Sequence, residues 1–212
     1  MQIRHIFYDL DGVLVDACDW HYESLNRALN EVMGFTISRR DHISTYNGLP
    51  TNVKLDLLKV DSRVRPTIWK KKQDYTKQVI RENAIKDIIK IELHEKMCDH
   101  GIECSCVTNS IKETAELMLS STGQIDFMNN LISNEDVAKP KPDPEPYRLA
   151  MLLTGLDPER CLVVEDSPKG VESALASGAH LLEVSGPNDV NYETVMSRIM
   201  EIENERTHTY GR

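Results

Sequence analysis

The sequence predicts an α/β protein in which a parallel β-sheet carries helices on both faces and an all-helical segment is inserted after the first strand. Three observations support this prediction. Ile3 to Tyr8 is a short apolar run that ends abruptly in carboxylates. Trp20 to about Ile80 has apolar residues at helical spacing and contains no convincing strand. After Ala84 helical and strand-like segments alternate, which is typical of parallel sheets.

The composition narrows the class of protein. The chain has 212 residues, of which 40% are hydrophobic and 28% charged, enough for one large domain or a core domain with a smaller insertion. A net charge of -9 argues against nucleic acid or an acidic membrane surface as the main partner. No secretory segment and no run of about 20 apolar residues is visible. We expect a soluble cytoplasmic protein, a monomer or weak dimer, with a small-molecule partner.

The insertion should contain three helices. The apolar stripe of the first comprises His21, Leu25, Ala28, Leu29 and Val32. Gly34 is placed to end that helix, and further helices are expected at 53–58 and 66–80. We therefore assign residues 17–83 to an inserted helical domain, with residues 1–16 and 84–212 forming the core.

The later part of the chain should supply the remaining strands and their crossover helices. The predicted helices cover residues 85–98, 110–119, 146–153 and 169–176, and the predicted strands cover 104–107, 131–132, 162–164 and 181–184. Ser110 and Glu113 are expected to form a capping box at the start of their helix. Glu203 to Arg212 is expected to be a polar, frayed tail.

Two carboxylates follow the first strand. Because alternate strand residues point to opposite faces, Asp9 and Asp11 can share a site only if the chain turns between them, and Gly12 helps it to turn. Gathered carboxylates repel one another unless a cation or proton lies between them, so a divalent metal site beside a reactive Asp is predicted. A calcium loop fits poorly, since the later ligand positions of such a loop are missing.

Other predicted strands also end in polar residues. Thr108 follows one strand, and Glu165-Asp166 closes another. Parallel strands align their carboxyl ends, so these residues should meet Asp9 and Asp11 at one rim.

This collection suits phosphoryl transfer. Asp9 can attack phosphorus, while the Thr108 hydroxyl, a lysine of the run from Lys139 to Pro144 and a helix N-terminus hold the phosphate oxygens. Each group alone could be a helix cap or a solvated linker. Their joint occurrence at strand ends favours the functional interpretation.

Four motifs, in this order, resemble those of the haloacid dehalogenase superfamily. They are Asp9-Leu-Asp11-Gly12-Val13, Thr108-Asn109, Lys139-Pro140-x-Pro142-Asp143, and Glu165-Asp166-Ser167-x-x-Gly170-Val171 with Ala176-x-Gly178. The likeness extends from Ile3 to Val184. The insertion after the first motif is similar to the small helical cap of phosphoglycolate phosphatase-like and beta-phosphoglucomutase-like members. The resemblance implies a Rossmann-like core with a helical cap.

The resemblance also implies roles for single residues. Asp9 would be the nucleophile that becomes an aspartyl phosphate. Asp11 would protonate the leaving oxygen and later deprotonate water. Thr108 and Lys139 would bind the phosphate, and Asn109 would contribute to substrate binding.

A magnesium ion is the cofactor that the resemblance implies. Asp9, the carbonyl of Asp11 and Asp166 would hold it, with Glu165 coordinating directly or through water. The implied enzyme is a magnesium-dependent phosphatase that acts on a sugar phosphate or a small phosphorylated acid.

Several residues help to choose among the chemistries of the superfamily. Asp11 favours a phosphate ester, since dehalogenases and phosphonate-cleaving members do not need a protonating Asp there. Ala17 replaces the hinge Thr expected of a sugar phosphomutase, and residues 48–54 lack the cap arginine of such enzymes. His21 and Lys72 still fall near the positions of a mutase histidine and lysine, so a phosphomutase stays the alternative.

Polar residues of the cap should select the substrate. The candidates are His21, Thr51, Asn52, Lys54 and Lys72. They suit hydroxyls or a second anionic group, although Lys70 to Lys72 could equally be a solvated helix face. A regulatory protein that binds phosphate without turnover is the remaining alternative, and the chemically complete motifs argue against it.

Overall fold

A computed structural model describes the backbone of residues 2–209 and the side chains of residues 2–205. Their contacts divide the chain into two compact units. The core unit comprises the chain up to Asp16 and from Ile85 onward, and the inserted unit comprises Ala17–Ala84. No helix among the described residues is both long and apolar enough to cross a membrane.

The core unit contains a five-stranded sheet. Its strands are β1 (His5–Tyr8), β2 (Glu103–Val107), β3 (Met128–Ile132), β4 (Cys161–Glu165) and β5 (His180–Glu183). They lie in the order β3-β2-β1-β4-β5, and every neighbouring pair is parallel. The predicted parallel α/β class is therefore confirmed. Strand β3 begins three residues earlier than expected because its first half, Met128 to Asn130, lacks an apolar run.

The inserted unit is helical. Its helices are α1 (Cys18–Met33), α2 (Arg39–Asp41), α3 (Thr51–Leu57) and α4 (Arg65–Asn83), with a π-helical turn at His42–Tyr46. Helix α1 ends at Gly34, whose φ of 74° places it in the left-handed region, as expected for a C-terminal glycine. Leu25 and Leu29 of α1 pack with Leu55 of α3 and Ile68 of α4. All residues of this unit are described, and none lies in a strand.

Helices cover both faces of the sheet. They are α5 (Ile88–Asp99), α6 (Lys112–Ser121), α7 (Glu145–Thr154), α8 (Pro168–Ser177) and α9 (Tyr192–Thr209). Phe7 packs in a core with Tyr147 of α7 and Ala174 of α8. The ring of Tyr8, the next residue, meets His94 of α5 at 5.5 Å. Since adjacent strand residues point to opposite faces, α7 and α8 cover one face and α5 covers the other.

Two local predictions are wrong. Ser110 does not cap α6, because its hydroxyl donates to Asp11 and Ile111 occupies the N-cap position. The expected frayed tail is largely helical, since α9 extends through Thr209 and buries Ile202. Helical spacing of Val195, Ile199 and Ile202 accounts for this helix. The last three predicted tail residues, 210–212, lie outside the described residues.

Candidate active site

The backbone of the candidate site is fixed by the central strands. Asp9 directly follows β1, and its N–H donates to the carbonyl of Val164 in β4 at 3.0 Å. Glu165 is the last residue of β4, and its carbonyl accepts from the N–H of Val184 at 2.8 Å. Both carboxylates therefore leave the sheet at its carboxyl edge, where parallel folds place their ligands.

Lys141 lies at the centre of this site. Its Nζ is 2.7 Å from Asp9 Oδ1, 2.6 Å from Glu165 Oε1 and 2.7 Å from the carbonyl oxygen of Val107. The side chain is only 3% exposed. Burial works against its charge, but Asp9 and Glu165 outweigh burial and raise the pKa of Lys141. The ammonium is thus the fixed positive charge of the site.

The structure corrects the lysine chosen from the sequence. Lys139 was expected at the phosphate, but its side chain is 74% exposed and its Nζ lies 3.9 Å from Asp143 Oδ2. Its backbone N–H donates to Glu145 at 3.0 Å, which turns the chain at that point. Lys139 and Lys141 are two residues apart in one Pro-rich run, so the sequence pattern alone did not discriminate between them.

Glu165 is fully enclosed by protein donors. Besides Lys141, its Oε1 accepts from the hydroxyl of Tyr147 at 2.7 Å. Its Oε2 accepts from the N–H of Asp166 at 3.2 Å and from the hydroxyl of Ser167 at 3.3 Å. Sequence reasoning missed Tyr147, since an aromatic residue in the apolar stripe of a helix indicates only a core position. Its ring also lies 4.8 Å from Lys141 Nζ, a cation–π contact.

Three carboxylates could hold a metal ion. Oxygens of Asp9, Glu165 and Asp166 lie within 4.8 Å of one another. Asp166 Oδ1 is buried without a hydrogen-bond partner. Burial, followed by the charge of Glu165, raises the pKa of Asp166 to about 6. A buried carboxylate oxygen with no donor is stabilised by a cation, so the donor set fits a hard divalent ion.

Two glycines make room for these carboxylates. A Cβ at Gly12 would overlap the carboxylate of Asp166, and the φ of Gly12 is 92°. A Cβ at Gly170, in the first turn of α8, would overlap the carboxylate of Glu165. Both close approaches require the absence of a side chain.

Asp11 and Thr108 belong to a second part of the site. The hydroxyl of Ser110 donates to Asp11 Oδ2 at 2.7 Å, and the N–H of Ser110 donates to Thr108 Oγ1 at 3.0 Å. Asp11 is half-buried and is not in the three-carboxylate group. The Asp11 carboxylate is therefore held by Ser110 and lies outside the three-carboxylate group.

The side chain of Asn109 is hydrogen-bonded to the backbone of Lys141. Its Nδ2 donates to the Lys141 carbonyl and its Oδ1 accepts from the Lys141 N–H, both at 3.0 Å. The sequence pattern did not indicate this contact, since the two residues are far apart in the chain.

The predicted substrate residues of the inserted unit differ in burial, and two of them lie beside each other. Lys54 and Lys72 are 6% and 8% exposed. Lys72 Nζ lies 3.4 Å from His21 Nδ1. Thr51 is half-buried and Asn52 is exposed, both at the start of α3.

The chain is similar to known proteins along most of its length. A family model described as haloacid dehalogenase-like hydrolase matches residues 6–184. The chain is 27% identical to pyrophosphatase PpaX of Oceanobacillus iheyensis over 197 residues, 91% of this chain and 88% of the relative. It is 27% identical to hexitol phosphatase A of Escherichia coli over 196 residues, 89% of this chain and 86% of that protein.

A solved structure supports the fold. CbbY from Rhodobacter sphaeroides in complex with phosphate matches with a TM-score of 0.78 and 20% identity, covering 87% of each chain. The resemblance drawn from the four motifs is thus confirmed at the level of family and fold. The names of the relatives agree with the predicted enzyme class, a phosphoric monoester hydrolase.

Proposed function

The chain belongs to the haloacid dehalogenase-like hydrolase family, and on that premise we propose that it is a magnesium-dependent phosphatase that hydrolyses a small phosphate monoester through an aspartyl-phosphate intermediate. The contact between Lys141 and Asp9, at 2.7 Å, is the observation that carries this proposal. A buried carboxylate held by a fixed ammonium is restrained in orientation and available as a nucleophile.

Asp9 would form the new bond to phosphorus. Lys141 engages Oδ1, so we assign Oδ2 as the attacking oxygen. As the bond from Asp9 to phosphorus forms, the ester bond breaks and its oxygen takes a proton from Asp11. The Lys141 ammonium and the hydroxyl of Thr108 would stabilise the phosphoryl oxygens.

Asp11 would then serve as a base. Water attacks phosphorus while its proton goes to Asp11, the bond to Asp9 breaks and inorganic phosphate leaves. The hydroxyl of Ser110, 2.7 Å from Asp11 Oδ2, would hold the carboxyl group in place during both steps.

We assign Asp9 and Asp166 as the protein carboxylates that would hold Mg²⁺, together with the Asp11 carbonyl. When bound, Mg²⁺ would offset the repulsion between these carboxylates and the incoming phosphate. Glu165 lies in the same cluster, but four donors already surround it. We therefore assign its main role to positioning Lys141.

The inserted unit would select the substrate. Lys54 and Lys72 are buried basic side chains, which suits a substrate with a second anionic group. This favours a small phosphorylated acid or a sugar phosphate over a bulky apolar ester. His21 beside Lys72 keeps the sugar phosphomutase alternative open.

A phosphate-release screen with Mg²⁺ tests the proposal. The panel should contain sugar monophosphates, phosphoglycolate, pyrophosphate and nucleotides, assayed for free phosphate and for isomerised sugar phosphate. Asp9→Asn should abolish both turnover and phosphoenzyme, whereas Asp11→Asn should still accumulate some aspartyl phosphate from esters with good leaving groups. Wild-type turnover by Asp9→Asn would refute the nucleophile, and isomerisation outpacing phosphate release would replace phosphatase by mutase.

A further inference from the structure

Asn109 and Lys141 are joined by a two-point contact between a side chain and a distant backbone. Asn109 follows β2, while Lys141 lies in the loop before α7. The donor and the acceptor of the amide each make one 3.0 Å hydrogen bond to the main chain of Lys141. One side chain therefore fixes both the position and the orientation of this backbone segment.

Between Lys139 and Asp143 the loop has a single main-chain N–H group. Pro140 and Pro142 flank Lys141, and proline has no backbone N–H to donate. The N–H of Lys141 is consequently the main-chain donor between Lys139 and Asp143, and Asn109 accepts its hydrogen bond.

The chain after β2 thus holds Lys141 at both ends. The carbonyl of Val107 accepts from Lys141 Nζ at 2.7 Å, and Asn109, two residues later, binds the backbone from which that side chain extends. A lysine side chain has many rotamers, so fixing its backbone and its ammonium together strongly limits where the charge can lie.

We infer that Asn109 is a positioning residue that acts on the reaction through Lys141 and is not a ligand of the substrate. This inference rests on the proposed function, which assigns Lys141 to Asp9 and the phosphate. Although Asn109 is exposed, its amide cannot turn toward a substrate without breaking both of its bonds to Lys141. The inference replaces the substrate-binding role expected from the sequence.

The test combines turnover with a direct signal from the lysine. The side-chain ammonium of Lys141 is buried and hydrogen-bonded, so its ¹H–¹⁵N resonance should be observable and can be assigned by its loss in Lys141→Gln. In Asn109→Ala this resonance should shift or broaden. With para-nitrophenyl phosphate and Mg²⁺, kcat should fall by about 10- to 100-fold, as expected for a misplaced reacting group. Asn129→Ala, which changes an exposed asparagine on β3, is the matched control and should alter neither quantity.

The outcomes are separable. An altered resonance together with the loss in kcat supports the inference. A loss in kcat with an unchanged resonance would mean that Asn109 acts directly on the substrate. An unchanged kcat would mean that the contact of Asn109 with Lys141 does not affect catalysis. Either result overturns the inference. Absence of turnover in the wild-type enzyme would instead count against the proposed function.

Discussion

Buried basic side chains occur in both units, but their surroundings differ. In the core unit, Lys141 lies between the carboxylates of Asp9 and Glu165. In the inserted unit, Lys72 lies beside His21, and Lys54 contributes, after burial, to lowering the pKa of His42 to about 4.

This difference in surroundings suits two different roles, catalysis in the core unit and substrate selection in the inserted unit. The buried cation of the core unit is compensated by carboxylates of the protein itself, so its position is set before any ligand arrives. The basic residues of the inserted unit include the buried Lys54 and Lys72, to which the proposed function assigns substrate selection. Substitutions in the core unit should therefore affect every substrate alike, while those in the inserted unit should discriminate between substrates.

Removing the metal should give the largest effect and should act on the core unit. We expect chelation to abolish phosphate release and added Mg²⁺ to restore it, because the clustered carboxylates would otherwise repel the phosphate dianion. Mg²⁺ should also raise the melting temperature, and Asp166→Asn should diminish that increase. Undiminished turnover in excess chelator would contradict the proposed metal role.

Substitutions of Lys141 and Lys139 should have very different effects on kcat/KM. Lys141→Gln removes the charge between Asp9 and Glu165 and should lower kcat/KM about 100- to 1,000-fold for all substrates. Lys139→Gln is the matched control and should change kcat/KM by less than about twofold, because exposed charges contribute little. Steady-state kinetics on two unrelated esters would check both. A larger loss from Lys139→Gln would restore the assignment made from the sequence.

Lysines of the inserted unit should affect only the true substrate. We expect Lys54→Ala or Lys72→Ala to lower kcat/KM for it about tenfold, at roughly 1 to 3 kcal/mol per lost buried polar contact. The same variants should barely change hydrolysis of para-nitrophenyl phosphate. Lys70→Ala, on the exposed side of α4, should leave both substrates unaffected. Equal losses on both substrates would remove these lysines from substrate selection.

Acid should lower the stability of the core unit through a buried histidine. This is the smallest of the four predicted effects. Burial lowers the pKa of His94 to about 4 from an ordinary value of 6.5. Between these values the unfolded chain binds the proton, so stability is complete above pH 6.5 and declines as the pH falls toward 4. We expect His94 to account for about 1 kcal/mol of the loss between pH 7 and pH 5.5.

Urea unfolding at several pH values would measure this loss. His94→Gln should flatten the decline in the free energy of unfolding, because glutamine does not titrate in this range. Asn129→Ala, which changes an exposed residue of β3 that does not titrate, serves as the control and should leave the slope unchanged. An unchanged slope in His94→Gln would show that other groups cause the acid sensitivity.

Sequence reasoning predicted those parts of the site that depend on strand ends. Asp9 and Glu165 each close an apolar strand, so the topology of a parallel sheet places them together. Sequence reasoning missed the buried contacts of Lys141, Asn109 and Tyr147, because these form across long sequence separations. A Pro-rich loop has no periodicity to show which lysine turns inward, and a buried tyrosine has the pattern of any core residue.

The sheet and its crossover helices were predicted more completely than the C-terminal helix and the helix boundaries. Alternating segments identified the sheet and its crossover helices, because hydrophobic periodicity reports burial directly. Helix α9 was missed because its charged residues dominate the composition of the C-terminal segment, although Ile199 and Ile202 have helical spacing. The boundary of α6 was misplaced because Ser110 has a partner in Asp11 that local sequence cannot reveal.

The contacts of Lys141 also have a consequence for how the chain folds. Its ammonium touches Asp9 after β1, Val107 in β2 and Glu165 in β4, so a single side chain joins the ends of three neighbouring strands. Asp9 and Lys141 are 132 residues apart in sequence, with the whole inserted unit between them. Asp9 therefore meets the Lys141 ammonium only when the ends of these three strands lie together. On the proposed function, turnover during refolding should therefore appear only after β1, β2 and β4 have come together.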